Sequence, residues 1–82
     1  MSGTPLGERS LDQLEPGQRG VILRLDGDTG AVRRLMELGL VPGTRVEVLR
    51  RAPLGDPIEL RLRQIHHSLR RSEAAFIHVE DV

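Results

Sequence analysis

Three histidines, His66, His67 and His78, are the side chains of this sequence best suited to hold a transition metal or to move a proton. Neighbouring side chains of a strand point to opposite faces, so His66 and His67 do not chelate one ion. No spacing among the three matches a zinc or iron ligand set. The chain has no Cys, hence no thiolate ligand, nucleophilic thiol or disulfide. All twelve basic residues are Arg, which removes a phosphate-binding loop ending in Lys. No Ser, His and acid set stands at a recognised catalytic spacing. The expectation is a protein that is not an enzyme, with no cofactor and no metal site. The alternative is a small metal-ion-binding or metal-responsive domain using its surface histidines.

Arg50-Arg51 and Arg70-Arg71 are the other chemically pointed pairs. They read as a solvated face, with docking against an acidic surface as the alternative. Twelve acidic residues balance twelve basic ones, and the only residue of the Phe, Trp, Tyr set is Phe76, so neither a positive excess nor stacking aromatics supports nucleic-acid binding. No apolar run approaches the roughly 18 residues that span a bilayer. The opening MSGTPLGERS lacks the basic-then-apolar layout of a secretory signal. These features suit a cytoplasmic protein.

At 82 residues, 38% hydrophobic and 29% charged, the chain has room for one small core built of Leu, Ile and Val. Met1 to Arg9, with Gly3, Pro5 and Gly7, reads as a flexible tail, and residues 10–82 as a single domain. Ser10 to Gln13 fits a capping box and predicts one helical turn. Gly20 to Leu25 alternates as a strand with Val21, Leu23 and Leu25 on one side. Asp28 or Thr29 caps a helix from about Ala31 to Leu38, which Gly39 ends.

Beyond Pro42-Gly43, Thr44 to Arg51 alternates as a strand with Val46 and Val48 inward. The tight loop Ala52 to Pro57 leads to Ile58 to Arg63, with Ile58, Leu60 and Leu62 inward. Gln64 to Arg70 reads as a fourth strand, Ser72 to Ala75 as a capped turn, and Phe76 to Glu80 as the last strand. Five short strands joined by Pro/Gly turns predict a mostly β fold, a small and nearly closed barrel.

Two corners carry more than packing needs. Leu38, Gly39, Leu40, Val41 and Pro42 form the first, where Leu40 and Val41 stand outside the helix's buried stripe and predict an exposed apolar corner. Pro53, Leu54, Gly55, Asp56 and Pro57 form the second, a stiff loop presenting Leu54 at little entropic cost. The two corners are expected side by side as a partner-binding surface.

These corners belong to a wider pattern: Leu14-Glu15-Pro16-Gly17, Arg34 to Leu40, Pro42-Gly43, Ala52 to Pro57, Leu69-Arg70, Glu73-Ala74 and Ile77. In this order they resemble the FeoA family, from about Leu11 to Val79. The resemblance implies an SH3-like five-stranded barrel with one α-helix inserted between its first two strands. It also implies an accessory or regulatory role in bacterial ferrous iron uptake, by contact with the cytosolic part of a GTPase-containing membrane transporter. The sequence departs from the family pattern at His66-His67, where relatives often carry small or aliphatic residues, and at Gln64, where many carry Gly.

Overall fold

A computed structural model describes residues 7–82. Among them six strands form one antiparallel sheet in the order β1-β6-β2-β3-β4-β5. The strands are β1 (Glu8–Ser10), β2 (Arg19–Leu25), β3 (Arg45–Arg51), β4 (Ile58–Leu62), β5 (Ile65–Leu69) and β6 (Ile77–Asp81). Helix α1 (Thr29–Glu37) lies between β2 and β3. Helix α2 (Arg71–Ala74) lies between β5 and β6, and a 3-10 turn (Leu11–Gln13) follows β1.

The sheet corrects the five-strand expectation. Glu8 to Ser10 pair with Glu80 to His78, so Glu8 and Arg9 belong to a strand rather than to the tail. The first six residues of that expected tail lie outside the described residues. β1 and β5 are edges that do not pair with each other, so the sheet is not closed by hydrogen bonds. With β1 counted, α1 stands between the second and third strands of six, not the first and second of five.

The core is aliphatic, as a chain without Cys and with a single large aromatic must make it. Ile22, Val46, Val48, Ile58, Leu60, Leu62, Leu69, Ile77 and Val79 fill it from the sheet, while Leu11, Leu14, Leu35, Leu40 and Ala74 cover it from the connections. In β2 the buried set is Gly20 and Ile22, opposite to the alternation expected from Val21, Leu23 and Leu25. A register shift between Ile22 and Arg24 then changes the facing of the residues beyond it, so that Leu25 also packs against the core. Gly20 is required by contact, because a Cβ there would lie 3.1 Å from both the Val79 side chain and the Glu80 carbonyl oxygen.

Both helices are capped from side chains. Asp28 Oδ1 accepts from the Ala31 N–H at 2.9 Å and starts α1. In α2 the Glu73 carboxylate accepts from the Arg70 N–H at 2.9 Å, so Arg70 rather than Ser72 is the residue that opens the helix. Glu73 also pairs with Arg34, which ties α2 to α1. Ser10 makes no capping bond to the 3-10 turn; its hydroxyl donates to Asp12 Oδ1.

Candidate functional site

The end of α1 decides the first corner. Gly39 holds φ at +103°, the Leu40 N–H donates to the Leu35 carbonyl at 3.2 Å, and the Gly39 N–H donates to the Met36 carbonyl at 2.9 Å. This six-to-one and five-to-two pair is a Schellman motif, in which the residue after the glycine turns back onto the helix. Leu40 is that residue, and it is 0% exposed, in contact with the core beside Leu35. The expectation of an exposed Leu40 is therefore corrected. Val41 is half-buried, Pro42 is exposed, and Leu38 keeps 40% of its surface in water. The motif's hydrophobic pairing of Leu35 with Leu40 was the signal in the sequence that points inward.

The second corner is as expected in shape. Pro53, Leu54, Asp56 and Pro57 are exposed, and Leu54 at 92% is the most exposed of the large apolar side chains. Two backbone bonds and one side-chain bond stiffen the loop. The Ala52 N–H donates to the Pro57 carbonyl at 3.1 Å, and the Gly55 N–H donates to the Ala52 carbonyl at 2.7 Å. Asp56 Oδ1 accepts from the Arg71 N–H at 3.0 Å, which fastens the loop to the first turn of α2. Gly55 has φ +85°, a value that L side chains rarely adopt.

The two corners are not neighbours. The first precedes β3 and the second follows it, and a seven-residue strand separates their ends by about 20 Å at roughly 3.3 Å per residue. Close to the first corner the apolar surface instead continues along α1. Met36, 39% exposed, and Val32 line an open groove of ≈ 570 Å³ with Leu25 and Gly27.

The charged residues sort by partner. Arg51, placed with Arg50 as a solvated pair, is partly buried and donates to the Asp12 and Leu14 carbonyls at 2.5 and 2.6 Å, which locks the 3-10 turn to β3. Arg50 lies 3.1 Å from Glu59, and His66 Nε2 is 2.9 Å from the other oxygen of the same carboxylate. His78 Nε2 is 2.8 Å from Asp26. His66 and His78 thus each have one carboxylate beside them. Among the described residues no three His, Cys, Asp or Glu side chains converge as a metal site.

The chain and its fold are similar to known proteins. Residues 9–81 match the model of the FeoA domain. The chain belongs to the FeoA family. A FeoA/FeoB fusion protein of Porphyromonas gingivalis, named as Fe(2+) transport protein A joined to the Fe(2+) transporter, is 40% identical over 70 residues. That alignment takes in 85% of this chain and only 8% of the fusion protein's length. A FeoA-like protein of Clostridium acetobutylicum has the same structure at a TM-score of 0.86, with 35% identity and coverage of 95% of this chain and 91% of that one. Stenotrophomonas maltophilia FeoA, solved with zinc and described as an SH3 domain protein, superposes at a TM-score of 0.77 with 28% identity, covering 88% and 89% of the two chains. The FeoA fold seen here is accordingly SH3-like: mostly β, with the helix α1 carried on the long connection between β2 and β3.

Proposed function

We propose that this chain is a non-catalytic accessory protein of ferrous iron uptake that acts in the cytoplasm by binding the cytosolic part of the ferrous iron transporter. The observation that carries this reading is the relative in which a domain 40% identical to this one shares a polypeptide with the transporter. Two domains that are covalently joined in one organism act at the same place, and a separate chain of the same family reaches that place by affinity. Among the described residues no helix is long and apolar enough to cross a membrane, and in this reading the membrane is met through the transporter.

The Pro53 to Pro57 loop is the contact this reading assigns to the partner. Leu54 is held out by a loop whose backbone is already ordered, so it loses little conformational freedom on binding. Asp56 and Gly55 set the loop's shape, and the prolines stiffen it. Leu38, Val41 and Pro42 stand at the far end of β3 and form a second, separate contact. Leu40 acts from inside, by holding that corner in place.

Co-purification of the transporter from its own cells with tagged chain tests the reading. Wild type retains the transporter, and Leu54→Asp releases it. Recovery of no transporter with wild-type protein, under conditions that preserve the membrane complex, overturns it.

A further inference from the structure

We infer that the free edge of β5 takes an extended, acid-flanked segment of a partner protein as a seventh strand. β5 has one neighbour, β4, with Leu62 opposite Ile65, Leu60 opposite His67 and Ile58 opposite Leu69. The connection is the two residues Arg63 and Gln64, with φ +51° and +70°, so the hairpin closes through a type I′ turn. In such a hairpin the residues flanking the turn exchange both backbone hydrogen bonds, and the pattern then repeats every second residue. Ile65, His67 and Leu69 therefore spend their backbone groups on β4. The N–H and C=O groups of His66 and Ser68 point away from it.

Those four groups lie on an accessible edge. His66 and Ser68 are exposed, and Ile65 beside them is 59% exposed. The edge strand itself, Ile65 to Leu69, contains none of the usual guards against pairing: no Pro, no Lys and no charged side chain turned inward. Backbone pairing would supply the affinity, and Ile65 offers an apolar contact at one end.

The charges at its two ends select the occupant. Arg63 stands before β5, and Arg70 and Arg71 follow it. Among the described residues none of these three side chains has a carboxylate within salt-bridge distance, a state they share with Arg19, Arg33, Arg45 and Arg51, but only these three flank β5. A second copy of this chain fits badly, because antiparallel self-pairing centred on His67 would bring Arg63 of each copy beside Arg71 of the other. An extended segment with apolar residues at its centre and Asp or Glu at both ends meets the same positions with opposite sign. Such complementarity sets specificity and on-rate. The inference stands apart from the transporter reading: the edge groups of His66 and Ser68 are a different surface from Leu54, and the two meet only at Arg71, whose N–H is held by Asp56.

The test uses the whole chain and a synthetic peptide with a Val-Thr-Val-Thr-Val centre flanked on each side by Glu-Asp. Amide exchange at His66 and Ser68, followed by NMR, is expected to slow about tenfold when nine-tenths of the sites are filled. The same peptide with Lys-Lys flanks is expected to leave it unchanged. His66→Pro removes an N–H that β4 does not use and is expected to abolish the effect with an unchanged thermal midpoint. Arg63→Glu combined with Arg70→Glu reports independently should the proline disturb the fold, and is expected to weaken the peptide about tenfold. Unaltered exchange at His66 and Ser68, an equal effect of both peptides, or dimerisation of the free chain through this edge overturns the inference.

Discussion

The backbone N–H of Arg71 donates to Asp56 Oδ1 at 3.0 Å, so one carboxylate both shapes the Pro53 to Pro57 loop and opens α2. Replacing it should uncouple the two. Asp56→Ala is expected to cost about 1 kcal/mol, the usual value of a lost helix-capping bond, while Asp56→Asn keeps most of it. Urea unfolding of the three proteins measures the difference. Equal midpoints would show that the loop and α2 are held by other means.

Arg51, at the end of β3, performs a comparable task. Its guanidinium holds the Asp12 and Leu14 carbonyls, and through them the turn that buries Leu11 and Leu14. Arg51→Ala is expected to cost about 2–4 kcal/mol, from two charge-assisted bonds and carbonyls left without a donor. Arg50→Ala, on the exposed side, should cost at most about 1 kcal/mol. Thermal unfolding of both variants checks the contrast.

Arg63 and Gln64 hold a left-handed backbone in which a Cβ costs roughly 1–2 kcal/mol per residue. Gln64→Gly is therefore expected to stabilise the protein by about 0.5–1 kcal/mol, net of glycine's extra freedom in the unfolded chain. The measurement is the denaturant midpoint at unchanged slope.

The leucines of the two corners should behave as opposites. Leu40→Ala empties a fully buried position and is expected to cost about 2–5 kcal/mol. Leu54→Ala, at a position 92% exposed, should change stability by less than about 0.5 kcal/mol. A Leu40 variant as stable as wild type would contradict the Schellman geometry that turns it inward.

Alternation carried most of the sheet. β3 and β4 follow their expected inward sets, Val46 and Val48 then Ile58, Leu60 and Leu62, because each strand has one face on a single core. β1 left no such trace. It is three half-buried residues joined to β6 by backbone pairing, a bond that every side chain can make. The inward face of β2 is hidden because Val21, Ile22 and Leu23 put apolar residues on both sides, and the register shift beyond Ile22 breaks the period of two. Ile65 stands on the same face as Leu60, Leu62 and the buried Leu69, yet it lies at the turn end of an edge strand and is 59% exposed.

At the candidate site the loop was legible and the corner was not. Two prolines, a glycine and an unpartnered leucine within one turn announce a stiff exposed tip. Leu38-Gly39-Leu40 reads equally well as a leucine on each side of a turn. Only the hydrogen bond from Leu40 back to Leu35 decides which one is inside.

Calorimetric titration of the transporter's purified cytosolic domain with wild type and Leu54→Asp tests the central claim most directly. Burying a leucine contributes about 1.5–3 kcal/mol, so the variant is predicted to bind at least about tenfold more weakly at unchanged stability. Equal affinity of the two proteins, or no binding by wild type, would contradict docking through the Pro53 to Pro57 loop.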